Sequence, residues 1–300
     1  MNFMLPFSDA TIAELVGKTI VLSENNRNES LFRAFRTVKV KSGGDIDGGR
    51  FEVVDGVLRL VEEQGLFCEF TGIESKNGTV FAVGVAAQTV SRNGFDRITM
   101  HEQKLLAPDS LGICISSHVN YELSTIPLLL KSLRKAKFEM SKVVVVVGGF
   151  KGDKTETVEE VKIVYREPNM NSFGGLVGAT GDTPYWLLLP DTCEAENSLV
   201  ESLAKIDIGL CPDVVRLRRD EWMGIYSKTF LDKIGSEIHS SPVIAQRAIM
   251  HRSSVITVLP GQIVGLGVRD VYGNGHRRAI EQIEAAGIRK YKGVAGRRTP

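Results

Sequence analysis

The sequence predicts a protein of two domains. A small, mostly antiparallel β domain over residues 1–104, either a sandwich or a barrel, precedes an α/β domain over residues 110–300 with a mostly parallel sheet flanked by helices. Two observations predict this division. The first hundred residues contain short β-type runs that turn residues separate. From about Leu111, continuous Val, Ile and Leu runs alternate with amphipathic helical patterns, as in a parallel sheet covered on both faces. A linker is predicted at Gln103–Asp109.

The N-terminal domain begins with a predicted helix over Asp9–Val16 and continues as an antiparallel meander. Asp55-Gly56 and Asn77-Gly78 indicate tight hairpins, because a two-residue turn of this kind needs positive φ at both central positions. The predicted strands are Lys18–Leu22, Leu31–Lys41, Arg50–Val54, Val57–Val61, Leu66–Ile73 and Thr79–Ala87.

The C-terminal domain is predicted from apolar runs that are too short for helices and carry no polar face. The predicted buried strands are Leu111–Ser116, Lys142–Val147, Val161–Tyr165 and Tyr185–Leu189. Helical spacing over Tyr121–Lys137 predicts the helix after the first strand. Two further helices are predicted over Ser172–Thr180 and Ala195–Ile206.

Composition and charge exclude several classes of protein. The chain is 43% hydrophobic and 24% charged, with a formal net charge of +1, so its overall charge gives no reason to expect nucleic acid or a membrane surface as a partner. Its longest apolar run, Val143–Val147, is far too short to cross a bilayer. The N-terminus lacks the pattern of a signal peptide. The four cysteines show neither paired nor zinc-like spacing, which favours a reducing, cytoplasmic location.

Polar residues follow the predicted strands of the C-terminal domain. In an open α/β sheet, ligands bind beyond the carboxyl ends of the strands, where the strand order reverses. We therefore expect these residues to converge on one rim, although the acidic residues among them could instead cap the following helix. The residues are Ser116, Ser117, His118, Gly148, Gly149, Asp191 and Glu194.

Three common enzyme motifs of α/β sheets are missing from the sequence. The segment beginning at Gly148 fails as a nucleoside-triphosphate loop, because Asp153 stands where glycine must directly precede Lys154. No G-x-G-x-x-G follows the first predicted strand, and no G-x-S-x-G elbow supports a hydrolase triad.

In their order along the chain, the segments from Leu111 onward resemble GT-A-type glycosyltransferases and their bacterial and phage relatives. The resemblance covers about two-thirds of the chain, and Leu187–Cys193 falls where that family has its Asp-x-Asp motif. The other segments that carry it are Gly112–His118 with Leu128–Leu133, Asn169–Thr180, Trp222–Ser227, and Val271–Arg278 with Gly287–Tyr291.

This resemblance implies a donor site and a metal. Ser116, Ser117 and His118 would line the nucleotide pocket, with Gly148, Gly149, Asp191 and Arg277 also contacting the donor. Mn²⁺ or Mg²⁺ would be held by Asp191, Glu194 and His276, and Asp220 or Glu221 would be the catalytic base. The chain departs from the family at Cys193, the third position of the acidic motif, where a thiolate is a poor ligand for hard cations.

The implied function is a hexosyl- or pentosyltransferase that moves a sugar from a nucleotide-sugar donor to a glycan or, alternatively, to a modified DNA base. Two alternatives stay open. The chain could bind nucleotide sugars or glycans without turnover, which the departure at Cys193 would explain. It could also be an adaptor or structural protein in which the N-terminal β domain provides the main function.

Overall fold

The computed structural model describes residues 7–26, 31–87, 97–117, 125–148, 154–166, 181–216, 223–234, 255–258 and 266–270. The chain forms two compact units. Unit 1 comprises Met1–Ala107, Ala204–Phe230 and Ile244–Pro260; unit 2 comprises Pro108–Leu203, Leu231–Val243 and Gly261–Pro300. Two segments of unit 1 therefore come from the range that the sequence analysis assigns to the second domain.

Unit 1 is built mainly from antiparallel strands, which helix α1 (Asp9–Leu15) precedes. The strands are β1 (Thr19–Asn26), β2 (Leu31–Lys39), β3 (Asp45–Ile46), β4 (Gly49–Val54), β5 (Val57–Glu62), β6 (Gly65–Lys76), β7 (Thr79–Ala86), β8 (Arg97–Glu102), β15 (Val214–Arg216), β16 (Gly224–Ser227) and β17 (Ile256–Val258). Their order in the sheet is β16-β15-β17-β2-β1-β8-β7-β6-β5-β4-β3.

The six strands and the helix predicted for the N-terminal region are confirmed, with ends that shift by a few residues. The two predicted hairpins are confirmed as well. Asp55 and Gly56 join β4 to β5 with φ values of 52° and 76°, and Asn77 and Gly78 join β6 to β7 with 49° and 78°. Positive φ at both positions matches the right-handed twist of the flanking strands, which explains the residue types.

The sheet of unit 1 buries side chains on both of its faces. One face carries the larger apolar cluster, which includes Leu22, Leu58, Phe70 and Met100. The opposite face carries a smaller cluster, in which Phe32 and Phe81 meet edge to face with ring centroids 5.7 Å apart. Leu210 and Val255 complete this second cluster, so the later segments of unit 1 cover the second face.

Unit 2 contains five strands of a sheet: β9 (Leu111–Ser117), β10 (Val143–Val147), β11 (Lys154–Val158), β12 (Val161–Tyr165) and β13 (Tyr185–Pro190). Their order in the sheet is β11-β12-β10-β9-β13. Two further strands, β14 (Cys193–Ala195) and β18 (Val268–Asp270), form a separate antiparallel pair. The remaining helices of the chain are α2 (Ile126–Lys135), α3 (Leu199–Leu203) and α4 (Lys228–Ile234). The four predicted buried strands are confirmed as β9, β10, β12 and β13, which run parallel.

The predicted fold class, a GT-A-like and mostly parallel sheet flanked by helices behind a small β domain, is wrong. Strands account for 53% of the described residues, the described part of the chain has only four α-helices, and the sheet of each unit combines parallel with antiparallel strand pairs. Strands β15 and β17 were assigned to the α/β domain, yet β17 pairs with β2 and extends the sheet of unit 1.

Two local errors explain much of the misprediction. The polar segment Lys154–Val158 forms the antiparallel strand at the edge of the unit 2 sheet. Polar and charged side chains are common in edge strands, so this strand lacks the apolar run that predicts a buried one. The predicted helix over Ala195–Ile206 is reduced to the five residues of α3 after β14. The predicted helix over Ser172–Thr180 lies outside the described residues. No helix in the described ranges is long and apolar enough to cross a membrane.

Candidate functional site

The carboxyl ends of β9, β10 and β13 lie side by side in unit 2. The parallel register pairs Ser117 with Val147 on one side of β9 and Ser116 with Pro190 on the other. The chain proceeds from β9 to β10 and then β12 in one direction and returns to the other side of β9 for β13. The strand order therefore reverses between β9 and β13, which is where open parallel sheets bind ligands.

A hydrogen bond connects the two strand ends at this reversal. The Ser117 hydroxyl donates to the Asp191 carboxylate, with 2.8 Å between Oγ and Oδ2. The Asp191 amide donates to the Ser116 carbonyl at 3.0 Å, and the Gly148 amide donates to the Ser117 carbonyl at 2.7 Å. Four of the predicted site residues are thus brought together at one rim by backbone and side-chain hydrogen bonds.

Burial gives this arrangement a defined geometry. Ser117 is 1% exposed and Ser116 is 7% exposed, whereas Asp191 is half-buried. A buried hydroxyl that donates to a carboxylate makes a charge-assisted hydrogen bond, which is roughly twice as strong as a neutral one. Asp191 is therefore held in one orientation at an accessible position, as expected of a side chain that accepts hydrogen bonds from a polar ligand.

Helix α2 begins at the same rim. Its apolar residues Ile126, Leu129, Leu130 and Leu133 are buried at helical spacing, which fixes the helix against its unit. The N-cap residue, Thr125, donates its hydroxyl to the Asp191 carbonyl and makes no capping hydrogen bond of its own. The Thr125 carbonyl accepts from the amides of Leu128 and Leu129, each at 3.0 Å, at the start of the helix.

Arg166 is a residue of this rim that the sequence analysis missed. It follows β12 directly, and its amide donates to the Val147 carbonyl at 2.9 Å, beside Gly148. The side chain is half-buried. A cation at the end of a parallel strand can neutralise a phosphate group. Its position directly after a predicted strand is the signal in the sequence that points to it.

The predicted metal ligands do not form a complete cation site among the described residues. Glu194 lies in β14, where its backbone pairs with Arg269, and Cys193 beside it is fully buried. In the described part of the chain, no group of three or more His, Cys, Asp or Glu side chains could hold a metal ion. Because His276 lies outside the described residues, the Mg²⁺ or Mn²⁺ site stays a prediction. The other predicted site residues, His118, Gly149, Asp220, Glu221, His276 and Arg277, lie outside the described residues.

Two of the other cysteines are structural. Burial raises the pKa of the Cys68 thiol to about 12 and also raises the pKa of Cys114, which lies in β9. Because the thiolate is the reactive form, neither side chain is suited to nucleophilic catalysis near neutral pH.

A second polar arrangement, in unit 1, was not found from the sequence. His101 in β8 is 4% exposed, and its Nε2 lies 2.6 Å from Oδ2 of Asp207. The other Asp207 oxygen accepts from the amides of Lys104 and Gly209, each at 2.9 Å. Because a carboxylate only accepts hydrogen bonds, Nε2 is the protonated ring nitrogen. Asp207 therefore fastens the segment after residue 203 to the end of β8.

Comparison with known proteins adds no family assignment. No protein-family model matches the chain, and no curated protein sequence matches it at a significant level.

Proposed function

We propose that the protein is a glycosyltransferase that binds a nucleotide-sugar donor at the carboxyl rim of unit 2. One observation carries the proposal: the hydrogen bond between Ser117 and Asp191 at the point where the strand order reverses. A carboxylate held there accepts hydrogen bonds from vicinal hydroxyl groups, which both the ribose and the sugar of such a donor offer.

The rim also has charges that suit two parts of the donor, its diphosphate and its hydroxyl groups. Arg166 follows β12 and Asp191 follows β13, and β10 and β9 lie between these strands. At about 4.8 Å between neighbouring strands, these two strand ends are about 14 Å apart. A molecule with an anionic diphosphate and a polyhydroxyl part fits this separation of charge. In the proposed site, Arg166 neutralises phosphate and Asp191 binds hydroxyl groups.

In the proposed reaction, the bond between the anomeric carbon and the diphosphate oxygen breaks, and the electron pair leaves with the nucleoside diphosphate. A bond forms from the acceptor oxygen to the anomeric carbon, and the acceptor proton passes to a base. Asp220 and Glu221 stay the candidates for this base. Arg166 would stabilise the charge that develops on the leaving diphosphate, which is the largest electrostatic demand of the reaction.

The first test is a thermal-shift panel of nucleoside diphosphates and their sugars. A ligand present at 100 times its Kd stabilises the native state by about 2.7 kcal/mol. We expect at least one nucleotide sugar to raise the melting temperature of the wild type, and we expect Asp191→Asn to abolish this increase. Glu139→Gln is the matched control, because Glu139 directly precedes the 3₁₀ turn at the amino end of β10 in the same unit.

Turnover is tested with the same variants. With water as the acceptor, the wild type should release free nucleoside diphosphate from the donor, and Asp191→Asn should release at least tenfold less. Binding without release in the wild type would identify a nucleotide-sugar-binding protein instead. A panel in which no nucleotide or nucleotide sugar shifts the melting temperature would overturn the proposal altogether.

A further inference from the structure

Thr125 has an unusual role for the residue at the start of a helix. An N-cap threonine ordinarily adopts extended dihedral angles and accepts a hydrogen bond from a helix amide. Thr125 instead has φ −77° and ψ −1°, and its side chain makes no capping hydrogen bond. The hydroxyl is turned to Asp191 and donates to the carbonyl of that residue. The Thr125 side chain therefore bonds to the residue that follows β13 and does not cap helix α2.

Hydrogen bonds from two elements hold Asp191. The Asp191 amide is bonded to Ser116 and its carboxylate to Ser117, both at the end of β9. Its carbonyl is bonded to Thr125 at the start of α2. The carbonyl and the carboxylate belong to the same residue, so a change at the carbonyl turns the carboxylate as well. Thr125 is 6% exposed, which keeps competing water away from this hydrogen bond.

Helix α2 has a second contact with the same stretch of chain. The Ser132 hydroxyl accepts from the Ala195 amide at 2.9 Å and donates to the Leu129 carbonyl at 2.7 Å. This contact is four residues beyond Asp191 and fixes β14 to the helix. Ser132 therefore offers a structural comparison on the same helix: it anchors the backbone but does not contact Asp191.

We propose that Thr125 is a positioning residue of the donor site, whose hydroxyl sets the orientation of Asp191 toward the donor. The inference rests on the proposed function for its ligand, but the effect of Thr125 on the Asp191 backbone can be measured without any ligand. Thr125 does not contact the donor in this account and acts only through Asp191.

The test compares Thr125→Val, which keeps the shape but loses the hydroxyl, with Thr125→Ser, which keeps the hydroxyl. The amide of Asp191 reports on its backbone, so its hydrogen exchange should become at least threefold faster in Thr125→Val and stay within twofold of the wild type in Thr125→Ser. Donor affinity should fall about threefold to tenfold in Thr125→Val, which is the size of effect that one hydrogen bond produces, and recover in Thr125→Ser.

Ser132→Ala separates positioning from general stability. It should lower the melting temperature, because the buried Ala195 amide loses its acceptor, while donor affinity stays within twofold of the wild type. Unchanged exchange at Asp191 in Thr125→Val would overturn the inference. Faster exchange with unchanged donor affinity would also overturn it, since Thr125 would then be a structural anchor only. If the wild type binds no donor, the proposed function fails, and the exchange result alone decides whether Thr125 holds the backbone of Asp191 in place.

Discussion

The two units use their buried polar side chains in different ways. In unit 1, polar residues lie within the face of the sheet, where Thr99 and His101 are buried in the middle and at the end of β8. In unit 2, strands β9, β10 and β13 are apolar along their length, and the polar groups begin at Ser116, Gly148 and Asp191. Hydrogen bonds inside a sheet fasten one segment of chain to another, whereas groups at strand ends can reach a ligand.

A buried polar pair is therefore not by itself a sign of a ligand site. The pair formed by His101 and Asp207 is closer than the pair formed by Ser117 and Asp191, and each pair joins a buried side chain to a half-buried carboxylate. Nevertheless, Asp207 bonds to His101, Lys104 and Gly209, which are groups of unit 1 that it holds in place. Position at the reversal of strand order, not burial, distinguishes the candidate site. Substitutions in the two units should therefore differ in which property they change.

The largest effect on stability is expected from Asp207→Ala in unit 1. The substitution leaves the amides of Lys104 and Gly209 and the Nε2–H of His101 without their acceptor, at an expected cost of about 3 kcal/mol. Chemical denaturation measures this cost. Asp207→Asn keeps one acceptor oxygen and should recover part of the loss. A cost below about 1 kcal/mol for Asp207→Ala would contradict the fastening role.

Gly112→Ala in unit 2 should be the next most damaging change. Gly112 in β9 is paired with Trp186 in β13, and a Cβ on Gly112 would lie 2.6 Å from the buried indole ring. Moving the ring out of its packed position should cost about 2 kcal/mol, as overpacking of a core does.

The matched control for this change is Gly181→Ala. Gly181 belongs to the same unit, and none of the described residues lies within 4 Å of the position that its Cβ would take. The melting temperature of Gly181→Ala should stay close to that of the wild type. Equal melting temperatures for Gly112→Ala and Gly181→Ala would contradict the packing of Trp186 on Gly112.

Asp191→Asn should have a small effect on stability, in contrast to Asp207→Ala. The asparagine keeps an oxygen that can accept from the Ser117 hydroxyl, and its backbone amide still donates to Ser116, so the free energy of unfolding should fall by less than about 1 kcal/mol. Denaturant titration tests this expectation beside Asp207→Ala. Equal losses for the two variants would remove the distinction between a fastening pair and a binding pair.

The smallest effect is expected at the edge of unit 2 and depends on pH. Hydrogen bonds from Lys154, and then from Tyr165, hold the pKa of Glu156 below its ordinary value of 4.5. A lowered pKa stabilises the folded protein above that value, and this stabilisation is lost as the pH falls through the folded pKa. Glu156→Gln should therefore lower the melting temperature slightly at pH 7 and leave it unchanged at the acid end of the range. A difference that grows toward low pH would contradict the assignment.

The sequence predicted the elements of both units better than it predicted their arrangement. Turn pairs such as Asn77-Gly78 and uniform runs such as Val143–Val147 are local signals, because the conformation follows from the residues themselves. Strand β8 was missed because polar residues at alternating positions, Thr99 and His101, indicate a strand face that is exposed to solvent. In the structure, a later segment of unit 1 covers this face. The pairing of β17 with β2, more than 200 residues apart in the chain, has no local signal at all.

One part of the candidate site could likewise be predicted from the sequence, and another part could not. Ser116, Ser117, Gly148 and Asp191 could be predicted to converge, because parallel strands that are neighbours end at one rim. The contribution of Thr125 could not be predicted, because a threonine before a helix normally caps that helix. The backbone dihedral angles of Thr125, which turn its hydroxyl toward Asp191, have no signal in the sequence.

The central claim is that ligand binding belongs to the rim of unit 2 and not to the buried polar face of unit 1. The most direct measurement is a backbone-amide NMR titration of the full chain with the nucleotide sugar that gives the largest thermal shift. The account predicts that the amides of Ser117, Gly148 and Asp191 shift strongly on titration and that those of Thr99 and His101 do not. Shifts confined to unit 1, with the amides at the rim unmoved, would contradict it.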